Sequence, residues 1–504
     1  MSIINLLFIL FLCSCSEYQN NKSDNLPQES DAHTPLPNSI ILGPGDNIQA
    51  AVDANPDGAA FYLKAGYFRN QQVQPKSGNA FIGEEGAIMT GAVLLTEFTF
   101  EDPYYVVSNR TENGQTAGTC KSDYPRCIHP EDLFFDDVSL MHVGSLAQVV
   151  DNTSWYFDYS SNKIYFRRNP SGHKVELSST RAAFGNANAN DVIIRGLTIE
   201  KYAIPAQMAA IGDHSGAGSN WQIDYNVLRW NHGGGVNLGH NGRAYRNKIY
   251  ENGGRGAGLI WDNNEEIIGA LFEENEIYGH CIFGGIDCGW DGGGIKLTYG
   301  RDIILRNNKI HDNDGRGLWS DVFCHNILYD GNTVLDNSAP GINHELSYDA
   351  IIRNNIVKGN GHGFHTWGWG AQILVQNSKN VEVYQNKIVA EPGSDGLAVL
   401  NSTDREVNIE NIYVHHNDIT LLGHPYDDFD DDKTGVFCDS ASEVAGRCAN
   451  FRNGSVKLDY NQYHVPDMTK WYFSWILNGL TFSGYLAESG GQEINSTIDE
   501  DVLP

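Results

Sequence analysis

Arg306-Asn-Asn-Lys-Ile310, Asp330-Gly-Asn-Thr-Val334 and Arg353-Asn-Asn-Ile-Val357 are three copies of one short pattern: Asn, any residue, then a branched aliphatic, with a strand-like stretch ahead of it. Working outward, the pattern recurs as Tyr245-Arg-Asn-Lys-Ile249, Glu273-Glu-Asn-Glu-Ile277, Tyr384-Gln-Asn-Lys-Ile388 and His415-His-Asn-Asp-Ile419. The repeated Asn residues are 247, 275, 308, 332, 355, 386 and 417, so successive steps are 28, 33, 24, 23, 31 and 31 residues. A fixed internal period marks a repeat architecture, and the minimum near 23 residues reads as one rung, longer steps as rungs carrying loops.

Each unit then turns a Gly-rich corner into a second short strand, as in Gly293-Gly-Ile-Lys-Leu297, Gly317-Leu-Trp-Ser-Asp321, Gly341-Ile-Asn-His-Glu345 and Gly396-Leu-Ala-Val-Leu400. Strands this short suit a coiled parallel sheet. Asn tolerates left-handed backbone and can stack its amide on the Asn one rung above. No window repeats apolar residues at helical spacing, and a propeller would need longer, four-stranded blades. The expected fold is all-β: a right-handed parallel β-helix with an N-terminal capping helix, an inserted hairpin and a C-terminal cap.

Alternation along a strand sorts the residues after each corner Gly: first and third inward, second and fourth outward. The first residues are Val236, Leu259, Ile295, Leu318, Ile342 and Leu397, all aliphatic. The second are Asn237, Ile260, Lys296, Trp319, Asn343 and Ala398, and the fourth are Gly239, Asp262, Thr298, Asp321, Glu345 and Leu400. The outward face of the middle rungs therefore carries Lys296, Trp319 and Asn343 beside a second column of Asp262, Thr298, Asp321 and Glu345.

Ile41-Leu-Gly-Pro-Gly-Asp-Asn-Ile-Gln-Ala-Ala-Val52 and Phe61-Tyr-Leu-Lys-Ala-Gly-Tyr-Phe68 resemble the capping helix and first coil of the pectate-lyase-like β-helix superfamily of carbohydrate-active proteins. The hairpin Trp155-Tyr-Phe-Asp-Tyr-Ser-Ser-Asn-Lys-Ile-Tyr-Phe166 with Val175-Glu-Leu-Ser178 resembles an insertion in its glycoside hydrolases. The resemblance covers about residues 40–420. It implies a sugar-processing surface without choosing among hydrolases, lyases, epimerases and phage tailspikes.

On that surface, Trp319 would stack on a pyranose face, and Lys296 and Asn343 would hold hydroxyls or an anionic substituent. Asp321 and Glu345, one rung apart, would place their carboxyls about 5 Å apart, near the separation of a retaining hydrolase; Asp262 would lie about 10 Å from Asp321. Gly361-His-Gly-Phe-His-Thr-Trp-Gly-Trp-Gly370 would wall a subsite, with His365 and Trp367 toward substrate. His344 faces inward by parity, as a core histidine. Asp287 and Asp291, in the loop before Lys296, read as solvated or as overhanging the groove. The leading function is a polysaccharide-degrading glycoside hydrolase. The runner-up is a Ca²⁺-assisted lyase with Lys296 as base, and a non-catalytic carbohydrate-binding solenoid is third.

Composition narrows the partners. With 63 Asp+Glu against 34 Lys+Arg, the 504-residue chain carries −29, which repels nucleic acid. A monomer is expected. No cofactor is required on this reading; a Ca²⁺ ion is an option, and Asp427-Asp-Phe-Asp-Asp-Asp432 lacks the spacing of a calcium loop.

The apolar run Ile3–Leu12 and Leu12-Cys13-Ser14-Cys15 resemble a bacterial lipoprotein signal with Cys15 as the lipidated residue, although no Lys or Arg precedes the run. An exported outer-membrane or cell-surface protein held by a lipid anchor follows. Its segments would be a signal peptide at 1–15, a polar tether at 16–38, the β-helix at 39–423 with an insertion near 97–180, and a loop and cap at 424–504. Close cysteine pairs, Cys120/Cys127, Cys281/Cys288 and Cys438/Cys448, would staple loops in an oxidising compartment, with Cys324 left over and able to compete for Cys281 or Cys288.

Overall fold

A computed structural model describes residues 27–114, 116–212, 216–259, 265–363, 367–403, 407–425 and 432–502. The Asn repeat winds into three long sheets, each coil giving one strand to each. The first sheet has 14 strands from Ile40–Leu42 to Val456–Asp459, the second 13 from Gly66–Arg69 to Thr497–Asp499, and the third 11 from Ala209–Ile211 to Asn478–Leu480. Neighbouring strands in these sheets are parallel, except where Phe473–Ile476 folds back on Asn478–Leu480.

Inward positions stack by type. Ile303, Ile327, Ala350, Val381 and Ile412 form one buried column of the first sheet, and Ile310, Val334, Val357, Ile388 and Ile419 one of the second. Each large aliphatic so buried stabilises the fold by about 1.5–3 kcal/mol.

The repeated Asn forms the expected ladder and extends it. Side-chain amides run from Asn226 through 247, 275, 308, 332, 355, 386 and 417 to Asn461, each Nδ2 donating to the next Oδ1 at 2.9–3.1 Å. The left-handed residue is the one before the ladder Asn, as at Arg246, Glu274, Asn307 and Gln385. The Asn is thus selected for its amide, which satisfies buried backbone groups at the corner, rather than for its φ.

A second ladder went unread in the sequence. Asn231 donates to Asn252, the Asn252 N–H donates to His280 Nδ1, and Asn313, Asn337, Asn360 and Gln372 continue upward. The corner glycines have a spatial cause: a Cβ on Gly294 or Gly317 would lie 2.4 or 2.5 Å from the carbonyl oxygen of the next rung.

Helix Ile48–Ala54 buries Ile48 and Val52 at the base of the core, as the capping-helix reading anticipated. The insertion builds two small sheets with a core of its own around Phe135, Trp155, Phe157, Ile164 and Phe166. It docks through Lys201, which is fully buried between Asp137 and Glu176. At the other end, coiling continues past residue 423: Val456–Asp459, Gln462–His464 and Phe473–Ile476 extend all three sheets before helix Phe482–Glu488 packs over Phe473. Among the described residues no helix is long and apolar enough to cross a membrane.

Disulfides join Cys120–Cys127, Cys281–Cys288 and Cys438–Cys448. Cys324 is a buried free thiol, pushed up to about 12 by that burial.

Candidate functional site

The outer face of the third sheet carries the polar columns. Its register pairs Lys296 with Trp319 and Trp319 with Asn343, and Thr298 with Asp321 in the next column. Ser320 pairs with His344, so Asp321 and Glu345, the residues that follow each, occupy adjacent rungs on the outward parity. The inward members behave as the alternation requires. His344 is fully buried against Ser320 Oγ at 2.7 Å, and desolvation lowers its imidazole to about 3.

One rung needs correction. Val236 pairs with Ala257, and Ala257 with Ile295, so the corner glycine of that rung is Gly256 and not Gly258. A two-residue slip keeps the parity and leaves the aliphatic test passed. It nevertheless removes Asp262 from the column of Asp321. Asp262 and His365 both lie outside the described residues.

The polar side chains are mutually engaged. Lys296 Nζ donates to the Trp290 carbonyl at 2.7 Å, lies 3.3 Å from Asp321 Oδ2, and sits 3.7 Å from the centroid of the Trp319 ring. The Arg316 guanidinium is 4.1 Å from the same centroid. Trp319 Nε1 and Asn343 Nδ2 both donate to Glu345 Oε2, at 3.1 and 3.2 Å. Trp319 is only 4% exposed and Glu345 2%, whereas Asp321 is half-buried. The expected open indole platform is therefore a covered floor: its ring faces cations and its N–H orients a carboxylate.

Loops bound this strip. On one side stands the 281–291 loop, closed by its disulfide. Asp291 there is 1% exposed and pairs with Arg255 Nη1 at 2.7 Å, so it is neither solvated nor overhanging. Asp287 caps the short helix Cys288–Asp291. Arg255 also donates to Asn237 Oδ1. The insertion reinforces this wall: the Asp287 N–H donates to the Thr119 carbonyl and Lys121 Nζ pairs with Asp314. On the other side, Trp367 and Trp369 pack over Ala371, Leu374, Ala398, Leu400 and Phe437. Trp367 thus seals an apolar patch beyond the polar columns.

Sequence reasoning missed Arg255, because the slipped register put Gly258 at the corner. Among the described residues no group of three or more His, Cys, Asp or Glu side chains is arranged to hold a metal ion. Most of the acidic run 427–432 lies outside those residues.

Comparisons with known proteins agree with the fold. Residues 211–380 match the family model described as right handed beta helix region. An uncharacterized protein of Bacillus subtilis (strain 168), YwoF, is 27% identical over 62% of this chain and 67% of its own length. The structure of XylC with xylose superposes with a TM-score of 0.58 at 13% identity, covering 91% of this chain and 83% of that one. The A-module of the mannuronan C-5 epimerase AlgE6 of Azotobacter vinelandii gives 0.48 at 14% identity, over 94% and 98%. The chain is a right-handed parallel β-helix, similar in architecture to the protein solved with xylose.

Proposed function

We propose that the chain is a glycoside hydrolase acting on a polysaccharide or its oligosaccharides, with Asp321 and Glu345 as its catalytic carboxylates. The observation that carries this reading is the pair itself: two outward carboxylates on adjacent rungs, one held by Lys296, the other by Trp319 and Asn343. Adjacent rungs are about 4.8 Å apart, which suits the short carboxyl separation of a retaining mechanism better than the longer inverting one. One carboxyl would protonate the leaving oxygen while the other attacks the anomeric carbon. Water would then release the sugar with the roles of the first reversed. The fold-level likeness to a protein whose structure was solved with xylose is consistent with a sugar substrate.

Lys296 is the base in the lyase alternative. Its Nζ is already engaged by a carbonyl, a carboxylate and an indole, so abstracting a substrate proton would mean abandoning them. That geometry ranks elimination second.

The three disulfides support an oxidising compartment, and we place the protein outside the cytoplasm, monomeric and anchored through Cys15. Cys15→Ser should release it from the membrane fraction.

The test is an assay on neutral, sulfated and uronic polysaccharides, following reducing ends and the ultraviolet absorbance of unsaturated uronates together, with calcium and with chelator. Reducing ends without absorbance, insensitive to chelator, is the expected result. Both signals rising together would mean elimination.

A further inference from the structure

The corner that follows Asp321 differs from its neighbours by one residue. Between the third-sheet and first-sheet positions that pair across rungs, two residues lie between Thr298 and Arg301, two between Glu345 and Tyr348, and two between Gln376 and Lys379. Between Asp321 and His325 there are three: Val322, Phe323 and Cys324. Cys324 is buried, in line with Ser347 and Ser378, which are buried at the equivalent place. Tyr299, Leu346 and Asn377 are the single left-handed residue of the corner on the other rungs. Here two residues are left-handed, Val322 with φ of 53° and Phe323 with φ of 55°, so this corner holds one more left-handed residue than its neighbours.

An aromatic in that conformation is uncommon, and two successive non-glycine residues there carry strain that a corner of ordinary length avoids. Single-residue bulges beside active sites re-aim side chains. The side chain here is 37% exposed, and its ring lies 5.9 Å from that of Tyr299, tilted by 50°. Tyr299 directly follows Thr298, the partner of Asp321, and its N–H donates to the Val322 carbonyl. The two rings therefore stand at the edge of the carboxylate column, in a site whose Trp319 is covered.

We propose that Phe323, with Tyr299, forms an aromatic subsite that stacks on a pyranose ring of the substrate next to the bond attacked by Asp321 and Glu345. This rests on the hydrolase reading, and stacking needs an accessible ring face, which Trp319 lacks.

The test uses Asp321→Asn protein on an array of short xylan, mannan, glucan, arabinan and homogalacturonan fragments, compared with the same protein also carrying Phe323→Ala, Phe323→Trp or deletion of Phe323. Phe323→Ala should weaken binding about tenfold on the sugars that the Asp321→Asn parent retains, and Phe323→Trp should preserve it. The deletion restores the corner length of the neighbouring rungs, so it should lose binding without lowering the melting temperature. Equal binding by Phe323→Ala would overturn the subsite while leaving the hydrolase reading intact. A fall in melting temperature parallel to the binding loss, in both Phe323→Ala and the deletion, would make Phe323 a packing residue and overturn it too. If the Asp321→Asn parent holds no sugar, the subsite and the enzyme reading fall together.

Discussion

Asn343 and Leu374 are neighbours on the outer face of the same sheet, paired in register, and the character of that face changes between them. Below the boundary the column reads Lys296, Trp319, Asn343; above it Leu374 and Ala398, covered by Trp367 and Trp369. The backbone is the same on both sides, and so are the inward aliphatics Leu318, Ile342, Ile373 and Leu397. The inward column therefore specifies the solenoid, and the outward column is free to differ, polar where a substrate would bind and apolar where a loop must be held.

The largest way to break the contrast is to put a charge on the covered side. Leu374→Asp buries a carboxylate among Leu400, Phe437 and the two indoles, and should cost about 3–5 kcal/mol in a urea unfolding experiment. The converse change, Asn343→Leu, carries the apolar column one rung down. It should leave the unfolding midpoint within about 1 kcal/mol while removing one donor from Glu345, which lowers kcat/KM about tenfold. Lys296→Met should reduce kcat/KM by a similar factor, about tenfold, through loss of the cation beside Asp321.

The ladders offer the gentlest probe. His280 stands where the second ladder would otherwise have Asn. Its Nδ1 accepts from the Asn252 N–H, its Nε2 faces the Ile249 carbonyl, and burial lowers the ring to about 3. The unfolded chain takes up this proton near pH 6.5. The folded one refuses it until about 3, so stability falls as the pH drops through that window and levels off below it. The contribution is about 1.4 kcal/mol per pH unit. The gap between unfolding midpoints at pH 7 and pH 5 should therefore narrow in His280→Asn, with the shares of the other buried histidines His129, His142 and His344 remaining.

Much of this was legible beforehand. The Asn at 247 through 417 announce the solenoid because buried corner amides must find partners, and the inward aliphatics confirm parity on all six rungs aligned and register on five. The second ladder was hidden because His280 and Gln372 break its residue type while preserving its hydrogen bonds. Asp262 was misplaced because Gly254-Arg-Gly-Ala-Gly258 offers more than one corner glycine, and only strand pairing selects Gly256. The burial of Trp319 was illegible for another reason: parity says which way a side chain leaves the sheet, and only tertiary contacts such as Lys296 and Arg316 say what covers it. The extra residue in the corner 322–324 was countable only once both flanking pairings were known.

The most direct test of the account compares wild type with Asp321→Asn and Glu345→Gln on whichever polysaccharide yields reducing ends, with folding checked by circular dichroism. Each variant should keep its spectrum and lose at least about a thousandfold in kcat. Full activity in both variants, with the fold intact, would contradict it and move the chemistry elsewhere on the solenoid.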